Sequence, residues 1–500
     1  MDDNSHIKRI AIVGGGTAGW MAASILARAL PGTGTVISVI ESPDIGTVGV
    51  GEATIPPIID LLRFLNINEG DFVKHTQSTY KLGIKFTDWS RAGHSYWHPF
   101  GVFGTMINLR PFFHAWQKAR AEGLAPRFND FSLNAALGDA GKFRFVDASV
   151  QGPVSGLRHA LHFDAGLVAK YLRAYSERLG VARLERTVAQ TTLRADGFID
   201  ELIFSDGTRL KADLYIDCSG FRGVLIEGAL ETGYLDWSDV LPCDRAVALP
   251  TASVPARPPY TEAISHSAGW RWRIPLQHRT GNGYVYSSAH IGDNEALEEL
   301  LAAVGGQPAA EPRFLRFVTG RRKLFWNRNC VALGLASGFL EPLESTSIHL
   351  VMSGVYKLLE HFPNSSFAQS NIDAYNSDVI QEIERIRDFI VLHYLAGRSD
   401  TPLWAYCQSM KLPDSLAQRI ELYKRTGRIR PKSGELFTDL SWFYIFEGIG
   451  ITPESYDPLM DVVTLPQLRE ILGTLAQSTA QAAQSAPSHD SYFTAGAAAR

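Results

Sequence analysis

Three glycines, Gly14, Gly16 and Gly19, follow the apolar run Ile10-Ala11-Ile12-Val13 and precede a helical pattern from Trp20 to Leu30. A G-x-G-x-x-G placed between a strand and a helix is suited to a dinucleotide. Gly14 permits the tight turn. Gly16 puts no side chain between the backbone and a pyrophosphate. Gly19 lets the helix lie close to the strand. The first helical N–H groups, around Thr17 and Ala18, then point with the positive end of the helix dipole at the phosphates. A second apolar strand, Thr35 to Ile40, ends at Glu41. That carboxylate falls about 20 residues past the turn, where a ribose hydroxyl is gripped. The bland alternative is a glycine turn in an ordinary βαβ unit; the placement of Glu41 favours the dinucleotide.

The elements that must hold this site are spread along the chain. Gly46, Gly49 and Gly51 lie close together ahead of Glu52-Ala53-Thr54-Ile55-Pro56 and permit close backbone approach to a flat or charged group. Residues 57–75 read as helix. Tyr80 to Phe86 alternates as one strand, with Lys81 and Lys85 on one face, which by default is a solvated face. Residues 91–150 lack periodicity but hold Tyr96, Trp97, Phe100, Phe103, Phe112, Phe113 and Trp116, as pocket walls, a lid or a satellite core would. Residues 184–218 read as a strand meander turned at Asp196-Gly197 and Asp206-Gly207. Such a meander returning to a nucleotide sheet suggests FAD rather than a simple NAD site, by fold-level analogy. Residues 245–320 read as a second antiparallel sheet, and Cys330 to Leu335 as a buried strand. Helices follow at 348–361, 372–397, 413–425 and 465–483, and fraying is expected from Ala476 onward. The fold class is thus mixed α/β: a Rossmann-like FAD-binding domain, an interleaved antiparallel-sheet substrate domain and C-terminal helices.

Composition bounds the function. The chain has 500 residues, 45% hydrophobic and 20% charged, with a formal net charge of −4. That balance offers no broad cationic footprint for nucleic acid. Cys218, Cys243, Cys330 and Cys407 are far apart, which gives no metal or disulfide framework and fits a reducing compartment. No apolar run is long enough to span a membrane, and the N-terminus carries no basic stretch before an apolar core. A cytoplasmic protein without bound metal is the expectation.

The chain resembles the flavin-dependent halogenases of the tryptophan-halogenase family over nearly its whole length. The resemblance rests on Gly14-Gly15-Gly16-Thr17-Ala18-Gly19-Trp20, Gly49-Val50-Gly51-Glu52-Ala53-Thr54-Ile55-Pro56, Tyr80-Lys81, Trp270-x-Trp272-x-Ile274-Pro275 and Phe339-Leu340-Glu341-Pro342-Leu343-Glu344-Ser345-Thr346. The tryptophan pair and the Glu-Pro-Leu-Glu-Ser-Thr run are the most specific of these. The resemblance implies FAD supplied as FADH2 by a separate NAD(P)H-dependent flavin reductase. Oxygen and chloride or bromide then give hypohalous acid at the flavin, which passes to a small aromatic substrate. No second nucleotide fingerprint appears in the chain, which agrees with external reduction.

Residue by residue, the resemblance implies catalytic roles for Lys81 and Glu344. An ammonium activates hypohalous acid by hydrogen bonding to its oxygen or by forming a haloamine. A carboxylate stabilises the cationic arene and takes its proton. The resemblance also puts Gly51, Ala53, Gly334 and Leu343 on the flavin, alongside Gly14, Gly16, Thr17, Ala18, Gly19 and Glu41. It assigns halide to the backbone at Thr346 and Ser347, where the family often has glycine in place of Ser347. Trp270 and Trp272 match a pair that keeps substrate from the flavin. His98 and Phe100 match the substrate-sandwiching segment. Trp442-Phe443 replaces a tyrosine pair that helps grip an amino-acid carboxylate, so an indole without the zwitterion fits better than free tryptophan. The rival readings are a single-component flavin hydroxylase and a catalytically inactive FAD-binding ligand carrier. The expected domains are 1–90, 151–230 and 325–365 for FAD; 91–150, 231–324 and 366–484 for substrate; and a flexible tail at 485–500. A homodimer is the expected assembly.

Overall fold

The computed structural model describes residues 6–43, 51–104, 106–150, 152–430 and 433–493. Gly49 and Val50 of the second motif lie outside them. The chain divides into two units of three segments each. The first comprises Met1–Ser78, Phe163–Asp244 and Arg316–Glu384; the second, Thr79–His162, Arg245–Leu315 and Arg385–Arg500.

The first unit is built on a sheet ordered Trp326–Asn327, Cys330–Ala332, Leu214–Asp217, Arg9–Val13, Val36–Glu41, Ala182–Glu185. Arg9–Val13 pairs in parallel with Leu214–Asp217 on one side and Val36–Glu41 on the other. The chain thus leaves Arg9–Val13 at the point where strand order reverses, and ligands of open α/β sheets sit beyond the strand ends there. The helix Thr17–Ala29 buries Gly19 through Leu26 and packs beside the helices Ala165–Arg178 and Ser347–Glu360. The meander expected over 184–218 forms as Val188–Leu193, Ile199–Phe204 and Arg209–Leu210 before the chain returns to the sheet at Leu214. Ala11, Val13, Ile40, Tyr215 and Leu225 share one core cluster between these layers.

The second unit holds a larger sheet, in which Arg245–Ala248, Arg279–Tyr286, Gly269–Pro275, Thr261–His266, Gly83–Thr87 and Ser95–Pro99 are successive neighbours. The parallel pairing of Gly83–Thr87 with Thr261–His266 draws this segment into the second unit, so the first division falls after Ser78 rather than at residue 90. The helix Asp293–Ala303 caps the sheet through Ala296 and Leu300, which pack with Val247, Tyr284 and Tyr286.

Several expectations change in detail. Residues 57–75 form two helices, Pro57–Phe64 and Glu69–His75, separated at Asn66, whose φ is 54°. The strand expected from Tyr80 to Phe86 breaks at Leu82: Thr79–Lys81 pairs with Ala160–Asp164, while Gly83–Thr87 joins the large sheet. Lys81 and Lys85 therefore lie on different sheets. The helix Leu465–Gln484 continues past Ala476 without fraying because Thr479 and Ala483 are buried on its inner face. Beyond it, His489 is fully buried and stays hydrogen-bonded to the Arg257 carbonyl at 2.8 Å. No helix among the described residues is long and apolar enough to cross a membrane.

Candidate active site

In the first unit the glycine turn is dictated by contacts with the backbone. Gly14 has φ +123°, and a Cβ there would lie 2.2 Å from the Cys218 carbonyl oxygen. A Cβ on Gly19 would lie 1.8 Å from the Gly14 carbonyl oxygen. At Gly16 a Cβ would meet nothing within 4 Å among the described residues, so the turn opens away from them there. Gly16 is also the N-cap of Thr17–Ala29, with no side-chain cap and no acidic residue in the first turn. A helix start left bare beside open backbone fits an incoming pyrophosphate. Thr17 donates through Oγ1 to the Ala165 carbonyl at 3.0 Å, which fixes the helix entry.

Glu41 ends its strand over the turn: a Cβ on Gly15 would come within 2.4 Å of its Cγ. Its Oε2 accepts from Arg183 Nε at 2.7 Å. Asp217, which sequence reading passed over, is fully buried at the end of the neighbouring strand. Its Oδ1 accepts from the Ser219 amide at 2.9 Å and hydroxyl at 2.6 Å; its Oδ2 accepts from the amides of Leu225 at 2.7 Å and Ile226 at 2.9 Å. This one carboxylate ties down the loop beyond the sheet. The only sequence signal was an acidic residue inside an otherwise apolar strand.

Of the remaining first-unit candidates, Gly51 and Ala53 form the short strand Gly51–Ala53, both buried. Gly334 opens a 3-10 turn with φ +61°, and a Cβ there would sit 3.0 Å from that of Ala18. Leu343 and Glu344, each 1% exposed, end the turn Pro342–Glu344. Ser345 then takes a left-handed φ of 59°, and Ser347 starts the 14-residue helix Ser347–Glu360. This second helix start also lacks a side-chain cap and first-turn acids, and the buried Thr346 hydroxyl has no hydrogen-bond partner among the described residues. The donor set at Thr346 and Ser347 suits a small anion.

A buried network along the same helix was not foreseen. Glu382 meets His349 Nε2 at 3.0 Å and accepts from Ser353 Oγ at 2.6 Å and Lys357 Nζ at 2.8 Å. Burial alone would raise its carboxyl, but the bonds and charges of His349 and Lys357 outweigh that and bring it down to about 2. Glu52, by contrast, is pushed up to about 7 by burial.

The second unit carries Lys81, His98, Phe100, Trp442 and Phe443. Lys81 is fully buried, opposite Ala160 in the ladder, and its Nζ stands 5.2 Å from the Phe100 ring centroid. That is within cation–π range and overturns the default of a solvated lysine face. Next to it, His162 lies between Thr79 Oγ1 at 3.0 Å and Thr261 Oγ1 at 2.9 Å. Burial first, then Lys81 and His489, hold its imidazolium pKa well below the ordinary histidine range.

His98 is 4% exposed, with its ring 5.4 Å from Phe389 and 5.8 Å from Phe437. Phe389 stacks on Phe437 at 3.8 Å and meets Trp442 edge-on at 4.9 Å. Trp442 and Phe443 do not act as a pair. Consecutive helical residues point about 100° apart, and Phe443 turns into a different cluster, stacked on Phe113 at 4.7 Å and against Phe128 at 4.6 Å. Trp270 and Trp272 lie 6.4 Å apart on one strand, and the Trp272 ring covers Gly283 so closely that a Cβ there would fall 2.0 Å from it. Among the described residues no cluster of His, Cys, Asp or Glu is arranged to hold a metal, and none of the four cysteines forms a disulfide.

The sequence matches the family model described as tryptophan halogenase over residues 9–465. A flavin-dependent halogenase from Brevundimonas sp. BAL3 superposes with a TM-score of 0.94 at 42% identity, covering 98% of this chain and 99% of that one. A flavin-dependent halogenase from Xanthomonas campestris gives a TM-score of 0.94 at 43% identity, covering 98% of each chain. A tryptophan 6-halogenase from Streptomyces toxytricini is 38% identical over 443 residues, 83% of this chain and 84% of that protein.

Proposed function

The chain belongs to the tryptophan halogenase family and is a flavin-dependent halogenase; from that premise we propose that Lys81 and Glu344 halogenate an indole-like arene that lacks the amino-acid zwitterion. The family uses FADH2, oxygen and halide, with an aromatic substrate and a partner flavin reductase. The reduced flavin, when bound, would supply two electrons to oxygen and the halide the other two, giving hypohalous acid and water.

The chain's own residues divide the remaining work. The bare helix start at Gly16 to Gly19 receives the pyrophosphate, and Glu41 the ribose. The amides at Thr346 and Ser347 hold the halide. The Lys81 ammonium acts on hypohalous acid, by hydrogen bonding to its oxygen or by carrying the halogen as a haloamine. The arene then forms a carbon–halogen bond as the oxygen–halogen bond breaks, the oxygen takes a proton from the Lys81 ammonium and leaves as water, and Glu344 takes the displaced ring proton, which restores the ammonium afterwards. The observation that carries this reading is the burial of Lys81, an ammonium kept from water and set over the Phe100 ring. A lysine buried this completely in an aromatic setting is a candidate functional group. The rings of Phe389 and Phe437 around His98, with Trp442 against Phe389, offer π-faces to an arene. A cytoplasmic location, delivery of FADH2 from a separate reductase and a homodimer complete the reading; four cysteines outside any disulfide agree with a reducing compartment.

The test supplies reduced FAD, oxygen and bromide with indole or free tryptophan. Brominated indole, recognised by its bromine isotope doublet, is expected in clear excess over brominated tryptophan. Hydroxylated indole without bromine, or tryptophan brominated as fast as indole, would contradict the proposal.

A further inference from the structure

Lys81 ends the three-residue strand Thr79–Lys81, whose one neighbour among the described residues is Ala160–Asp164. So short an edge strand does little to fix a side chain by itself. Two anchors hold it. On the C-terminal side, the Leu82 amide donates to the Pro259 carbonyl at 2.7 Å, and the Leu82 carbonyl accepts from the Phe100 amide at 2.8 Å and from Asn134 Nδ2 at 2.9 Å. On the N-terminal side stands Tyr80, whose side chain leaves the strand opposite to that of Lys81. Its ring stacks on Phe143 at 4.4 Å and on Phe493 at 5.6 Å, and meets Phe145, His159, His489 and Tyr492 edge-on.

Three of these rings, those of His489, Tyr492 and Phe493, come from residues 487–493. Polar bonds tie that stretch down. The Phe143 amide donates to the Pro487 carbonyl at 3.2 Å, the His489 amide to the Gly141 carbonyl at 3.0 Å, and the Tyr492 hydroxyl to the Phe143 carbonyl at 3.3 Å. Asp490 accepts from Arg257 Nε at 2.6 Å and from the Arg257 amide at 3.1 Å, while His489 Nδ1 donates to the Arg257 carbonyl at 2.8 Å. The Arg257 guanidinium lies 5.4 Å from the Phe493 ring centroid. The stretch is thus locked around one ring, that of the residue next to Lys81. We propose that residues 487–493 act as a positioning strap: by holding the Tyr80 ring they set where the Lys81 ammonium stands, which makes Phe493 and Asp490 positioning residues for halogen transfer. The inference rests on the halogenase reading above and adds a remote support for its lysine. A small displacement of a reacting group costs rate steeply, even when the substituted residue lies far from the chemistry.

The test uses the full chain with reduced FAD, oxygen, bromide and indole. Phe493→Ala takes one stacked face from Tyr80 at a partly exposed position. Per folded molecule, it lowers kcat for brominated indole about fivefold, the worth of one aromatic pair, and moves KM by less than about twofold. Phe493→Tyr, which keeps the ring, restores kcat. A kcat unchanged in Phe493→Ala, even with a lower unfolding midpoint, overturns the inference, as does an equal loss in Phe493→Tyr. Should Phe493→Ala not fold, Asp490→Asn, which weakens the hold of Arg257 on the same stretch, is read in the same way. A second readout needs no turnover. In protein labelled with ¹³C-lysine, the Lys81 Cε resonance, assigned by its loss in Lys81→Arg, shifts in Phe493→Ala and returns in Phe493→Tyr. A resonance that stays in place overturns the inference. If the wild-type protein brominates no indole, the halogenase reading fails, and the resonance alone decides whether the strap positions Lys81.

Discussion

Gly16 and Lys81 lie in different units under opposite conditions. Where a Cβ on Gly16 would stand, no described residue comes within 4 Å, while Lys81 is fully enclosed with its ammonium over a phenyl ring. The first region is made almost entirely from backbone: three glycines, a bare helix start and a carboxylate at a strand end. The second is made from side chains whose burial depends on partners far along the chain, such as Ala160 opposite Lys81 and Phe389 against His98. Backbone cradles are set by local sequence, so a short motif encodes them. Side-chain sites are set by tertiary pairing, so similar residues elsewhere would be solvated.

The contrast can be broken most sharply within the glycine turn. Gly19→Ala places a methyl 1.8 Å from the Gly14 carbonyl oxygen, so the helix must move. Loss of soluble folded protein, or complete loss of FAD binding, is expected by circular dichroism and flavin titration. Gly16→Ala adds a methyl where nothing lies within 4 Å. It should keep the wild-type unfolding midpoint while weakening FAD by about tenfold or more, if the methyl stands where the pyrophosphate is proposed to approach. Equal destabilisation by the two changes would mean that Gly16 serves the fold rather than the ligand.

A smaller effect separates the units by pH. His162 is buried neutral, with its folded pKa well below the unfolded value near 6.5. Below that pH the unfolded chain takes a proton that the folded chain refuses. The stability it contributes is present above about pH 6.5 and is lost as pH falls, by about 1.4 kcal/mol per pH unit. Denaturant midpoints measured between about pH 7 and 5 should fall for the wild type and flatten for His162→Gln. Glu382 works lower: its carboxyl is held down to about 2, so its contribution persists until the solution falls below the ordinary carboxylate range. A slope unaffected by His162→Gln would show that another group dominates the acid response.

What the sequence made legible follows the same division. The glycine turn, the strand into Glu41, the meander and the Ser347–Glu360 helix are local patterns, and they form close to where they were expected. The break at Leu82 was hidden because its amide goes to the Pro259 carbonyl at 2.7 Å, a contact that no periodicity announces. The separation of Trp442 from Phe443 follows from helical phase, yet which cluster each joins depends on Phe113, Phe128 and Phe389. Asp217 and the Glu382–His349–Lys357 network looked like ordinary acids and bases; only folding brings their partners together. The roles proposed for Lys81 and Glu344 rest on family resemblance alone, since a lysine on an alternating strand is otherwise a surface residue.

The most direct measurement follows flavin and product together in Lys81→Ala, given reduced FAD, oxygen, bromide and indole. Flavin should reoxidise at close to the wild-type rate while brominated indole disappears, if, as proposed, the oxidant is made at the flavin and used at the lysine. Brominated indole formed at the wild-type rate would contradict the account.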